Sequence, residues 1–260
     1  MNLRIVVLIL CKLIFILEIM KAIILAAGLG TRLRPITDNV PKCMVPVNGI
    51  RIIDKQIDNL LQCDVTEIYV VDGYKADILA SHLKEVYPQV QIVSNPRYAE
   101  TNNMYSLFLT APYVKGEEFL LMNADVYFDV NIIEGMIEGE NQSKIACDRS
   151  GYIEESMKIT LDCGKINHIS KKITPKEHFA VSIDVYRISK EDSVTLFKEV
   201  ENTILVRKDE NSWTEVALDN IFKLSDFKPY VIKDRWFEID NHEDLHKAEE
   251  IFKGDRLCKI

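Results

Sequence analysis

The residues whose types and spacing point to chemistry begin at Leu25-Ala-Ala-Gly-Leu-Gly-Thr-Arg-Leu-Arg-Pro35. An apolar run there ends in Gly28 and Gly30, Thr31, Arg32 and Arg34 follow, and Lys42 stands just after Pro41. Glycines at a strand-to-loop junction let the backbone approach a ligand and turn its N–H groups inward, and with cations alongside the natural guest is a phosphate. The spacing disfavours two familiar phosphate chemistries. Leu33 stands where G-x-G-x-x-G needs its third glycine, and no Gly-Lys-Ser/Thr follows, so neither hydride transfer on a dinucleotide nor P-loop hydrolysis is indicated.

Two carboxylates, Asp125 and Asp240, each follow an apolar strand. Both are therefore expected at the C-terminal edge of the sheet, where open α/β folds bind ligands. They read as a Mg2+ pair, because magnesium takes one or two carboxylates together with phosphate oxygens and water. Asn123 stands two residues before Asp125, which thins the acidic shell. Arg32 and Lys42 are the cations expected on the phosphates of a ligand held in the loop. His242-Glu-Asp-Leu-His246 matches H-E-x-x-H, but it falls in the first turn after an Asn241 cap, and Leu245, Ala248, Ile251 and Phe252 form an ordinary buried stripe, so zinc chemistry is rejected.

The elements that must position these groups alternate. Apolar strands over 21–27, 67–71, 91–93 and 119–122 are separated by amphipathic helices, the pattern of βαβ units. Beyond about Ser143 the rhythm changes to half-exposed strands, with a turn at Asp162-Cys-Gly164. The expected fold is α/β: a Rossmann-like, mostly parallel central sheet flanked by helices, with a small antiparallel acceptor-binding lobe. A single domain is expected over 20–254. Residues 1–19 form an apolar prefix interrupted by Lys12, too short to span a bilayer and running into the first strand without a linker, and they are read as a misassigned start or an appendage with no stable membrane insertion. The net charge of -8 disfavours a nucleic-acid partner, and six cysteines without C-x-x-C pairing suit a cytoplasmic protein.

The loop together with Pro41-Lys-Cys-Met-Val-Pro-Val47 resembles the start of the nucleoside-diphosphate-sugar pyrophosphorylase superfamily. Asn95-Pro-Arg-Tyr98, Thr101-Asn-Asn-Met-Tyr-Ser-Leu107, Asn123-Ala-Asp-Val126, Met157-Lys158, Trp213-Thr-Glu215 and Trp236-Phe-Glu-Ile-Asp240 follow in order and look most like the phosphocholine cytidylyltransferase branch. The resemblance implies magnesium-dependent transfer of a nucleotidyl group, CMP from CTP, to a small phosphorylated acceptor such as phosphocholine. The alternatives are a sugar-1-phosphate nucleotidyltransferase using UTP or dTTP and a non-catalytic nucleotide-binding regulatory subunit.

On this resemblance the catalytic set is Arg32, Lys42, Asp125 and Asp240, the two aspartates also being the metal ligands. The acceptor phosphate would attack the α-phosphorus in line with no enzyme nucleophile, Arg32 is expected on the β/γ-phosphates, and Lys42 on the α-phosphate or the incoming acceptor phosphate. The nucleotide would meet Leu25, Ala26, Ala27, Gly28, Gly30, Thr31 and Arg32, with Gln56, Gly73 and Tyr74 near the base and Asn103 and Ser106 near the ribose or acceptor. Lys158 and Lys171 are candidates for the acceptor phosphate or else lysines of a solvated hairpin. Tyr186, Trp213 and Trp236, with Glu215 and Glu238, are the ingredients of a quaternary-ammonium cage or else core packing.

Overall fold

The structure, a computed structural model, describes residues 20–139 and 141–255. The prefix, and with it the expectation about the start, lies outside the described residues. Strand β1 (Lys21–Leu25) leads through short 3-10 turns to a two-residue hairpin of β2 (Pro46–Val47) and β3 (Ile50–Arg51), then to α1 (Ile52–Gln62) and β4 (Glu67–Asp72). Helix α2 (Ala76–Val86), β5 (Gln91–Ser94), α3 (Asn103–Leu109), α4 (Ala111–Val114) and β6 (Phe119–Asn123) continue the alternation. Next come β7 (Val126–Phe128), α5 (Asn131–Ile137), β8 (Lys144–Asp148), and the pair β9 (Lys158–Asp162) and β10 (Lys165–Ser170). The chain then forms β11 (Ala180–Ile188), α6 (Lys190–Glu201), α7 (Thr214–Ile221), β12 (Lys228–Val231), β13 (Trp236–Glu238) and α8 (His242–Ile251).

The main sheet runs β10-β9-β11-β6-β1-β4-β5. Strands β6, β1, β4 and β5 are parallel, whereas β11 is antiparallel to β6, β8 and β9. This is the expected α/β arrangement, with the antiparallel part beginning where the rhythm of the sequence changes. Side chains alternate across β1: Ile23 and Leu25 enter one core, Ala22 and Ile24 the other. A strand buried on both faces carries no polar alternation, which is why it reads as a continuous apolar run. A third cluster, including Leu33, Val45, Ile52, Tyr127, Ile239 and Phe252, lies under the phosphate loop and ties it to α8. At the β9–β10 hairpin both loop residues, Cys163 and Gly164, have positive φ, the condition of a tight turn that keeps the strand twist.

β11 was not evident from its sequence pattern, and it shapes the cleft. Its first residues pair with β9 (Ala180↔Ile159), its last with β6 (Val185↔Met122 through Ile188↔Phe119). The register with β8 shifts between Ser182 and Tyr186. Asp184 sits at this change of partner with φ 57, so the strand kinks and opens a space beyond the end of β6. No helix among the described residues is long and apolar enough to cross a membrane.

Candidate active site

A cavity of about 380 Å³ lies beyond the C-terminal ends of β1 and β6, a size in the range of small-molecule sites. The phosphate loop forms one wall. Gly30 takes the left-handed conformation (φ 59, ψ 35), and its carbonyl accepts a hydrogen bond of 2.8 Å from Thr37 Oγ1. A Cβ at Gly28 would touch no protein atom, so the backbone there stands open to a ligand. A Cβ at Gly30 would lie 2.8 Å from Lys42 Cβ and 3.2 Å from Thr37 Cγ2. Gly30→Ala is therefore expected to destabilise the protein by about 1–3 kcal/mol, through backbone strain and overpacking, and to reduce turnover further by displacing Lys42. Denaturant unfolding beside a pyrophosphate-release assay checks this. Unaltered turnover would show that Gly30 does not set the position of Lys42.

The antiparallel pairing of β13 with β7 assembles the opposite wall. It sets Glu238 against Val126, so Asp125, just before β7, meets Asp240, just after β13. Ile239 N–H donates to the Asp125 carbonyl at 2.9 Å and holds the junction. The 3-10 turn Lys42–Met44 brings in the cation. Lys42 Nζ donates to Asp125 Oδ2 and to Asp240 Oδ1, each at 2.7 Å, and Arg32 Nη2 reaches the same Asp240 oxygen at 2.9 Å. Burial disfavours the Lys42 ammonium, but the two aspartates outweigh it and raise its pKa. Burial likewise works to raise Asp240, yet Lys42 and Arg32 hold it below the usual carboxylate range.

Carboxylate oxygens of Asp125, Glu238 and Asp240 all lie within 4.8 Å of one another. Asp125 Oδ1 is buried without a hydrogen-bond partner. A set of hard oxygen donors with an unsatisfied atom, already gathered around the ammonium of Lys42, fits a divalent cation. Glu238, expected at the acceptor, thus belongs equally to this cluster. Its carboxyl is pushed up to about 8 by burial and by the nearby Asp184, Asp125 and Asp240.

The third wall is acidic. Asp184, missed in the sequence, accepts hydrogen bonds of 2.9 Å from Asn123 Nδ2 and from Tyr186 Oη. The Tyr186 hydroxyl also lies 2.9 Å from Glu215 Oε1. Burial, with Glu215 and Asp125 nearby, pushes Asp184 up to about 7, and burial also raises Glu215. Trp213 and Lys171 reach the cavity together, with Lys171 Nζ 5.1 Å from the Trp213 ring centre. Asn103 and Ser106 line it too, as do Tyr98 and Ser156, for which no role was expected.

Several expected site residues stand behind the cavity. Gln56 is fully buried in α1, and its Nε2 donates to the carbonyls of Asn123 (2.9 Å) and Val126 (2.8 Å). It clamps the turn that carries Asp125 and does not face a base. Gly73 packs against Ala27 and Tyr98, and Tyr74 braces the loop through N–H to the Ala27 carbonyl (3.1 Å) and hydroxyl to the Thr37 carbonyl (2.9 Å). Ala26 is held by N–H donation to Val71. Lys158 is buried, with Nζ donating to the carbonyls of Ile153 and Glu154, so it cannot meet an acceptor phosphate. Tyr186 supports the acidic wall from beneath, and Trp236 donates from Nε1 to Asp148 Oδ2 at 2.8 Å outside the cavity. A cage of three aromatics is therefore not present. Arg34 turns away to Asp38. Asn241 caps α8 as expected, while His242 bonds the Arg34 carbonyl and exposed His246 pairs with Glu250, so the two histidines have separate partners.

The chain is similar to known proteins along most of its length. The choline-phosphate cytidylyltransferase of Streptococcus pneumoniae is 29% identical, covering 91% of this chain and all of that protein. The CTP:phosphoglutamine cytidylyltransferase of Campylobacter jejuni is 27% identical over 87% of this chain and 98% of its own. The solved structure of the Streptococcus pneumoniae CTP:phosphocholine cytidylyltransferase superposes with a TM-score of 0.74 at 28% identity, covering 90% of this chain and 99% of that one. The Nucleotidyl transferase family profile matches residues 21–154, just over half of the chain and the part that holds the phosphate loop, Lys42 and Asp125. The protein belongs to the nucleotidyl transferase family and is a nucleotidyltransferase of the cytidylyltransferase-like kind.

Proposed function

We propose that this protein transfers CMP from CTP to a small phosphorylated acceptor that carries a cationic group, of the phosphocholine kind, and releases pyrophosphate with magnesium as cofactor. The observation that carries this reading is the clasp of Lys42 by Asp125 and Asp240 at the mouth of the phosphate loop. An acceptor phosphate oxygen forms the new bond to the α-phosphorus while the bond from that phosphorus to the bridging oxygen of the β-phosphate breaks, and pyrophosphate leaves with the electron pair. Arg32 and the loop N–H groups neutralise the β- and γ-phosphates. Lys42 meets the charge that develops at the α-phosphate. Asp125 and Asp240, with Glu238 beside them, would hold the magnesium ion, which when bound supplies charge neutralisation for the phosphates.

The choice of acceptor follows from the third wall. Half-buried Asp184 and buried Glu215 face the cavity as carboxylates bridged by one phenol and without a direct ion pair. Carboxylates screened from water in this way favour a cation, whose charge draws them to the ionised form, while the ring of Trp213 carries Lys171. Lys171, over that ring, is left to meet the acceptor phosphate. We further propose a single catalytic domain over 20–254 and a cytoplasmic location.

A pyrophosphate-release screen crossing CTP, UTP, dTTP and ATP with phosphocholine, aminoethylphosphonate, inositol phosphate and sugar 1-phosphates tests the reading. Turnover is expected with CTP and the cationic acceptors. Activity confined to UTP or dTTP with a sugar 1-phosphate would replace it by the sugar-nucleotide reading, and silence across the panel would favour a regulatory nucleotide-binding protein.

A further inference from the structure

We propose that Lys42 is a cation latch: its ammonium keeps the seat between Asp125 and Asp240 that the divalent ion takes, so the ion binds tightly only when a nucleotide triphosphate has drawn Lys42 away. The inference rests on the magnesium-dependent transfer proposed above and adds an order to it. Lys42 Nζ lies 2.7 Å from one oxygen of each aspartate, and both aspartates belong to the carboxylate cluster that fits a divalent cation. A magnesium ion bound to the same oxygens would stand about 2.0–2.1 Å from them, within the space the ammonium fills. Even moved aside by a few ångströms, the ammonium still repels a divalent ion across a medium that screens charge less than water does. The two cations therefore exclude each other unless new negative charge arrives.

The phosphates of the nucleotide are that charge, and the loop that receives them adjoins the latch. Cβ of Lys42 packs over Gly30, close enough to leave no room for a Cβ there, whereas the rest of the side chain is a flexible four-carbon stem. The ammonium can swing from the carboxylates toward the loop by changing rotamers, with the backbone unmoved. Arg32 prepares the same exchange: it shares Asp240 Oδ1 with Lys42, yet 65% of its side chain is exposed, so it can leave without opening the core. Because coupling between two ligands is reciprocal, a device that makes the ion wait for the nucleotide also makes the nucleotide bind better with the ion present. It keeps the carboxylate cluster neutralised in the resting protein.

Binding of Mn2+ alone to the full chain, without nucleotide, tests the latch. Free Mn2+ is followed by electron paramagnetic resonance, and thermal unfolding is recorded in parallel. Lys42→Gln and Lys42→Met are expected to bind Mn2+ about 5- to 150-fold more tightly than the unaltered protein, the usual span of a coupling between sites. Mn2+ is also expected to raise their unfolding temperature at concentrations that leave the unaltered protein unchanged. Adding Asp125→Asn to Lys42→Gln should abolish the gain. Equal Mn2+ affinity in all three proteins, or a gain that survives Asp125→Asn, would overturn the proposal. If neither Lys42 variant folds, the unaltered protein decides: tight, saturable binding of Mn2+ that Asp125→Asn removes overturns the latch, and its absence supports it. No turnover enters these measurements. Failure of the acceptor screen would thus sink the functional reading without touching the binding comparison, and equal Mn2+ affinities would sink the latch while leaving turnover intact.

Discussion

Lys42→Ala is expected to lower turnover by about 100- to 1,000-fold, the usual loss when one preorganised charge donor is removed from a developing oxyanion. The dissociation constant for nucleotide should change by less than about tenfold, because Arg32 and the open backbone at Gly28 still meet the outer phosphates. Asymmetry of this kind marks a group whose contact strengthens in the transition state. The carboxylates raise the pKa of Lys42 in the ligand-free protein and the phosphates that replace them carry the same sign of charge, so its contribution should not fade as pH rises toward about 9. Pyrophosphate-release kinetics with equilibrium binding of CTP separate the two effects. Turnover preserved in Lys42→Ala, or lost only in proportion to nucleotide affinity, would remove Lys42 from the chemical step.

Asp184→Asn should raise KM for a cationic acceptor by about 30-fold or more while leaving KM for CTP in place. Truncating one partner of a buried charge contact costs about 2–5 kcal/mol, and about 1.4 kcal/mol is tenfold. A second readout is independent of acceptor identity. The carboxyl of Asp184 is pushed up to about 7 in the folded protein, from an ordinary value of 3.8. Between those two pH values the folded state holds a proton that the unfolded state has released, so the contribution of this group to stability declines as pH rises from about 4 to about 7, and is flat above. The slope from one such group is at most about 1.4 kcal/mol per pH unit. Denaturant unfolding of the ligand-free protein across that window should therefore show a pH dependence that Asp184→Asn reduces. The same slope and the same acceptor KM in the Asp184→Asn variant would return Asp184 to a packing role.

How much of this site was legible depended on where each residue stood. Asp125 and Asp240 could be found because each follows an apolar strand, but only Asp125 stands beyond a strand of the parallel sheet, and Asp240 is brought beside it by the pairing of β13 with β7. Gln56 was misread, although Ile53, Ile57 and Leu60 put it on the buried face of α1, where an amide has to satisfy backbone inside the protein. Lys158 shows the same limit: a lysine that begins a half-exposed strand gives no sign that it turns inward and caps the carbonyls of Ile153 and Glu154. The signal for Asp184 was a carboxylate within the apolar run Ala-Val-Ser-Ile-Asp-Val-Tyr, a residue that strands tolerate poorly.

The sequence by itself determined the phosphate loop, the parallel half of the sheet and the kind of chemistry, because glycine spacing, apolar runs and strand-end carboxylates act over a few neighbouring positions. Only the tertiary structure decided which groups share the cavity. Lys42, Asp125 and Asp240 meet because β13 pairs antiparallel to β7, and Asp184 faces the cleft because β11 changes partners and kinks there. Register and kink set side-chain direction, and both arise from pairing between segments far apart in the chain. The glycine loop leaves its backbone open at Gly28, and the fold places opposite it the carboxylates that hold the cation of Lys42.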